Sequence, residues 1–180
     1  MKIKVLGVSI ILAATLLSGC GANTAKSTDP VQSPKADVVT TASLVNEEEA
    51  FVKAISKDGT WIVAILADMT INKELVIEGE FHDKNDTTKP VYRKLALYAQ
   101  DEDHKVTARY TLTAPKLMIK NENTKIQGGT FKGDVYVQAN GFNITDGKVD
   151  GNVYFASDEY KASFKMEKGG TVTGATEVKK

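Results

Sequence analysis

The sequence predicts an all-β fold, a single-stranded parallel β-solenoid of about 18 residues per coil with a short N-terminal capping helix, spanning residues 42–180. Two observations carry this. A glycine-cornered motif comes round three times, as Gly129-Thr130-Phe131-Lys132-Gly133, Gly147-Lys148-Val149-Asp150-Gly151 and Gly170-Thr171-Val172-Thr173-Gly174. The residues around it keep step: Asp134-Val135-Tyr136-Val137 becomes Asn152-Val153-Tyr154-Phe155 one repeat of 18 later.

The same shift, applied backwards, sets Leu117 under Val135, Ile119 under Val137, Thr124 under Phe142 and Ile126 under Ile144. Alternate residues of a strand face one way, so these apolar positions point into one shared core. Glycine at the corners permits a sharp turn or a close backbone approach. The third copy arrives 23 residues after the second. The polar stretch Ala156 to Lys161 accounts for the delay, after which Phe164 and Met166 take the places of Phe142 and Ile144. An antiparallel sandwich with glycine turns is the alternative, but hairpins do not readily produce a period matched at six positions.

Residues 1–20 read as a lipoprotein signal peptide. Lys2 and Lys4 form a positive n-region, and Val5 to Leu17 is an apolar run too short for a stable span. Leu17-Ser18-Gly19-Cys20 resembles the lipobox of bacterial lipoproteins, which implies that the Cys20 sulfur receives a diacylglyceryl group and becomes the new N-terminus. Two or three acyl chains, at about 0.8 kcal/mol per buried methylene, anchor where one would not. The expected location is therefore the extracytoplasmic face of a cell membrane. Cys20 is the only cysteine, which excludes an intrachain disulfide and thiolate metal clusters. Residues 21–41, rich in Ala, Ser, Thr, Lys and Pro, read as a disordered tether reaching on the order of 25 Å.

Asn46-Glu47-Glu48-Glu49 opens the predicted helix, with Asn46 as its cap and the glutamates complementing the dipole. Leu44, Ala50, Phe51, Ala54 and Ile55 form its apolar face, and Lys57-Asp58-Gly59 ends it. Placed before the first coil, this helix would cover an otherwise open core. Strands follow at Thr60–Leu66, Leu75–Phe81, Arg93–Ala99 and Val106–Thr113, separated by a polar loop over Phe81–Pro90 and a charged turn over Asp101–Lys105. Trp61 is expected in core or cap packing, with sugar stacking as the functional alternative.

No catalytic constellation emerges. His82 and His104 each lie in a charged loop and read as solvated, and no nucleophile elbow, zinc-protease, phosphate-loop or dinucleotide fingerprint occurs. Gly128–Asp134 has the wrong spacing for a calcium nonapeptide, and Asp146–Asn152 lacks the oxygen ladder and terminal glutamate of an EF-hand. Asp134, Asp146, Asp150 and Asp158 make a mixed surface with lysines and not an acid pair, so a carbohydrate-active β-helix enzyme ranks third. The reading is no enzyme, no metal and no cofactor. Charge, at 23 basic against 23 acidic residues, falls to 21 against 23 without the signal and offers no basic stripe for nucleic acid. The candidate interaction surface is Tyr136 with Tyr154, both outward and roughly 5 Å apart on neighbouring strands. They suit a glycan or another protein, or else simply brace the stack.

The pattern G-x-[FV]-x-G-[DN]-V-Y-[VF] at Gly129–Val137 and Gly147–Phe155 resembles the coils of the bactofilin, or polymer-forming, family, over about Leu117 to Val178. The chain is also similar to bactofilin-like lipoproteins of Gram-positive bacteria. The resemblance implies a right-handed β-helix with a structural or scaffolding role in the cell envelope. An exported, lipidated chain with a helix at one end departs from the cytoplasmic family members. The expectation is therefore a monomer or weak end-to-end self-association, not a filament. A cell-wall or exopolysaccharide-binding lipoprotein is the second reading, with a cell-wall glycan or an envelope protein as partner.

Overall fold

The computed structural model describes residues 42–179, so residues 1–20, read as a signal peptide with Cys20, and residues 21–41, read as a tether, lie outside it. Strand β1 (Ala42–Leu44) precedes helix α1 (Glu48–Ile55), followed by β2 (Ile62–Ala64), β3 (Met69–Thr70) and β4 (Leu75–Ile77). After one 3-10 turn at Asp83–Asn85 come β5 (Arg93–Ala96), β6 (Tyr98–Gln100), β7 (Val106–Arg109) and β8 (Thr111–Ile119). Next are β9 (Thr124–Gln127), β10 (Thr130–Val137), β11 (Asn143–Thr145), β12 (Lys148–Asp150) and β13 (Val153–Phe155). Helix α2 (Asp158–Ala162) then leads to β14 (Lys165–Glu167), β15 (Thr171–Val172) and β16 (Thr176–Val178).

Nearly all of these strands pair in parallel. One sheet runs in the order β1-β2-β5-β9-β11-β14. In the other, β3 and β4 pair with β8, β8 with β10, β10 with β12 and β13, and these with β15 and β16. Such pairing rules out the antiparallel sandwich. The registers are those the repeat predicts. Leu117 lies across from Val135 and Val135 from Val153, while Ile126 lies across from Ile144. Met166 follows beneath Ile144, the place assigned to it in the delayed third copy.

Leu117, Ile119, Val135, Val137, Val153 and Phe155 are fully buried, together with Phe131, Phe142, Ile144 and Val149. Each such side chain contributes about 1.5–3 kcal/mol relative to exposure. Their alternation with half-buried or exposed neighbours is the two-residue period of a strand with one face inward. The corner glycines are explained by the close approach of neighbouring backbone segments. A Cβ on Gly151 would lie 2.1 Å from the carbonyl oxygen of Gly133, and one on Gly133 would lie 1.9 Å from that of Ala114. A polar stitch runs beside this column. The Asp134 carboxylate accepts both the backbone and side-chain N–H of Asn152 at 2.9 Å, and Asn152 Oδ1 accepts the Ala175 N–H at 2.8 Å.

Helix α1 forms where predicted, but its cap differs. Glu47 occupies the N-cap position and makes no side-chain capping bond. The Asn46 side chain instead accepts the N–H of Leu66 at 3.1 Å, because the loop after β2 passes beside it and offers an unpaired donor. Phe51, Ala54 and Ile55 are buried, whereas Ala50 is exposed and Leu44 is 42% exposed. The far end of the helix is held by Arg93, whose Nη2 donates to the carbonyls of Ala54 (2.5 Å) and Ser56 (3.1 Å) and whose Nη1 donates to that of Glu78. The guanidinium, 1% exposed, lies 4.0 Å from the centre of the Phe81 ring.

Two segments depart from the sequence reading. The polar stretch after Phe155 is a helix, because Ser157 caps it by accepting the Tyr160 N–H while Asp158 and Glu159 fill its first turn. The segment Tyr98–Arg109 is an antiparallel hairpin of β6 and β7 and does not join either parallel sheet. Its charged turn is closed by Asp101, whose carboxylate accepts the Lys105 N–H at 2.8 Å, with His104 at a positive φ of 61°.

Candidate functional site

The outer face of the second sheet brings Tyr136 and Tyr154 together, as their strand positions require. They are register partners on β10 and β13, with ring centres 5.0 Å apart and planes inclined by 47°. Both are half-buried. Cations of the same chain lie against them. Lys116 Nζ is 4.6 Å from the Tyr136 ring centre, and Lys179 Nζ is 4.3 Å from that of Tyr154. Lys116 is further held by Glu74 at 3.1 Å. With these contacts in place, the pair works as a cross-strand brace extended by cation–π contacts.

Asp134, Asp146 and Asp150 are committed to local partners. Asp134 is taken up by Asn152. Both oxygens of Asp146 receive Arg109 Nη2, at 3.0 and 2.8 Å. Asp150 lies 3.2 Å from Lys148 and accepts from Thr173 at 3.1 Å, and these two hydrogen bonds, Lys148 first, hold its carboxyl below the usual range. Asp158 sits in the first turn of α2.

The histidines are not brought together. His82 differs from the solvated loop residue expected. Its side chain is 16% exposed, its Nδ1 lies 2.7 Å from the Lys89 carbonyl and its Nε2 lies 3.4 Å from Glu80. The cause is the bridge between His82 and Val91, which folds the loop back over the ring. His104 is exposed, with Nδ1 at 2.9 Å from Gln100 Nε2. Among the described residues, no group of three or more His, Cys, Asp or Glu side chains could hold a metal ion.

The first sheet carries a surface that the sequence reading missed. Two concavities of about 570 and 550 Å³ share Tyr92, Asn123 and Lys125, so they run into one groove crossing the strands. Along its floor the registers align Ile62, Lys94, Lys125, Asn143 and Lys165 on β2, β5, β9, β11 and β14. Trp61 is 7% exposed, as core packing requires, and lies 6.0 Å from Tyr92 at 51°. Tyr92 is the more accessible ring. Burial, with Asp83 and Tyr98 nearby, pushes its phenol up to about 12.

Lys94 Nζ donates to the Tyr98 hydroxyl at 2.9 Å, and Lys125 Nζ stands 6.0 Å from the Tyr92 ring centre. At the far end, Glu167 is held below the usual carboxylate range by a hydrogen bond from Asn143, then by Lys125, Thr145 and Lys165. The signal for this row was the lysine at equivalent strand positions in β5 and β9. It is hidden by the hairpin, which separates Lys94 from Lys125 by 31 residues. Comparison with family models, curated proteins and solved structures finds no match to this chain.

Proposed function

We propose that this chain is a bactofilin-like lipoprotein, anchored at the extracytoplasmic face of a cell membrane through lipid on Cys20. In this reading its folded part is a right-handed, single-stranded β-solenoid that serves as a non-catalytic structural or interaction module. One observation carries the module reading. Residues one repeat apart lie directly across parallel strands, from Leu117 through Val135 and Val153 to Thr176. A chain wound in this way presents flat layered faces on a rigid rod, the geometry of a scaffold.

The two ends of the rod then differ. At the first, the buried side chains of α1 join the core and the Ile55 carbonyl accepts the N–H of Glu78, just past β4, at 3.3 Å. That is how a cap would sit. At the other, β14, β15 and β16 terminate the sheets, and Met166 is 53% exposed. Lys165 and Lys179 flank this edge, and lysine discourages further strand pairing. A monomer or a weak end-to-end pair follows.

The anchor rests on the Lys2–Cys20 pattern alone. It is tested by labelling cells with a fatty acid. Wild-type protein is expected to take up label and stay with membranes, and Cys20→Ala to lose the label and either leave the membrane or accumulate as precursor. Wild-type protein that takes up no label and washes off freely would defeat the anchor.

A further inference from the structure

We infer that the groove across the first sheet binds a linear, hydroxyl-rich anionic chain: a polyol or glycan bearing phosphate or carboxylate groups. The inference does not depend on how the protein reaches the membrane. It depends on what the strand registers place in one line.

Lys94 and Lys125 stand on neighbouring strands, about 4.8 Å apart, and Lys165 lies two strands beyond Lys125, a further ~10 Å. The row is thus a line of positive charge perpendicular to the strands and long enough to follow several repeats of a polymer. None of these three lysines is in an ion pair, whereas Lys73, Lys89, Lys105, Lys116, Lys120 and Lys148 each lie within 4.0 Å of a carboxylate. Lysines outside ion pairs also occur elsewhere, as at Lys132, Lys161 and Lys168. What distinguishes the groove is the alignment of its lysines along one row, with Lys94 also donating to Tyr98 and with Lys125 and Lys165 near Glu167. The groove also holds two carboxylates, Asp83 and Glu167. Asp83 is paired with Lys89 at 3.6 Å, and Glu167 accepts from Thr145 at 3.4 Å.

The remaining lining selects for hydroxyls. Asn123, Asn140, Asn143 and Ser163 line the same walls. Tyr92 supplies one flat apolar surface midway, against which a sugar or polyol carbon face can lie. Nucleic acid fits less well. Successive bases need successive stacking rings, and Trp61 is too deeply buried to be a second one.

The experiment uses the full chain in detergent, with binding followed by calorimetry. The probes are poly(glycerol phosphate), polygalacturonate, an uncharged glucan and a single-stranded oligodeoxynucleotide. At least one of the first two is expected to bind, with affinity falling as salt rises, and which one binds tells a phosphate from a carboxylate source. A lysine facing an anionic surface contributes about a fivefold factor. Lys94→Gln with Lys125→Gln is therefore expected to weaken binding about twenty-five-fold, while Lys116→Gln on the opposite sheet leaves it unchanged. Far-ultraviolet circular dichroism and a cooperative unfolding transition well above the assay temperature confirm that the variants are folded. Four results overturn the inference: no binding of either anionic polymer; equal binding by the double variant; equal loss in Lys116→Gln; or equal binding of the uncharged glucan or the oligonucleotide.

Discussion

Arg93 offers the sharpest test of how α1 is held to the strands. It is the largest of the fully buried side chains, and burial pulls its guanidinium down to about 10, so it remains charged at neutral pH. Its donors reach three carbonyls on two segments, Ala54 and Ser56 at the end of α1 and Glu78 after β4. The three acceptors do not depend on it equally. Ala54 also accepts the Thr60 N–H and Ser56 the Gly59 N–H, each at 3.2 Å, whereas Glu78 relies on Arg93.

In Arg93→Met one carbonyl is orphaned, at about 1–3 kcal/mol, and the contact with Phe81 is lost, at about 1 kcal/mol. Release of a buried charge offsets part of this, leaving a net loss of about 2 kcal/mol. Arg93→Ala adds a cavity and raises the loss to about 4 kcal/mol. Arg93→Lys should fall near the methionine variant, because an ammonium cannot fork between acceptors on two segments. Urea unfolding of the full chain, read through the fluorescence of its single tryptophan, Trp61, gives these differences. Hydrogen exchange should quicken first at the Thr60 and Glu78 amides, which bond to α1 carbonyls. Full stability in the lysine variant, or losses below 1 kcal/mol in both others, would refute the argument.

Three further outcomes follow from the same geometry. Val135→Asp or Val153→Asp places an unpaired charge in a fully buried site and should cost about 3–5 kcal/mol, enough to unfold the domain, whereas Lys132→Asp at an exposed site should be mild; equal urea midpoints for all three would remove the inward–outward assignment. Gly151→Ala should cost about 1–3 kcal/mol or more, since its Cβ meets the Gly133 carbonyl carbon and oxygen within 2.6 Å, while Gly169→Ala, with open space but a φ of +82°, should cost only about 1 kcal/mol, and reversal of that order in thermal melts would contradict the stacked-corner account. Tyr92 ionises near pH 10 unfolded and at about 12 folded, so between these values the unfolded chain sheds its proton first and stability falls as pH rises; Tyr92→Phe should remove that fall from the urea midpoints, and identical alkaline profiles would show that the phenol is not buried as described.

What could be read from the sequence was whatever repeats at fixed spacing within a strand. Val135 and Val153 were assigned inward because each sits at the same step after a corner glycine, and both are fully buried. Asn46 misled because capping preference is local, while the donor it satisfies, Leu66 N–H, arrives from 20 residues away. Helix α2 was missed because five residues carry too little periodicity, although Ser157 followed by Asp158 and Glu159 was the available cue. Lys94 and Lys125 could not be aligned until the hairpin between them was known to leave the sheet. Arg93 gave no sign at all, since nothing in a lone arginine at a strand start foretells burial beneath a helix end.

The hairpin of β6 and β7 has a wider consequence. It leaves after Ala96 and leads directly into β8 of the other sheet, yet the pairing of β5 with β9, the next strand of their own sheet, runs without slip from Arg93 with Thr124 to Ala96 with Gln127. It is fastened at its root, where Arg109 clasps Asp146 and the Gly128 carbonyl and Tyr98 accepts from Lys94, and its tip over Asp101–Lys105 is exposed. The corner therefore separates the length of a connection from the alignment of the strands it joins. Material can be added there without transmitting a shift to the next strand of the sheet, so the chain can gain a new projecting loop, natural or grafted, while its load of buried contacts stays the same.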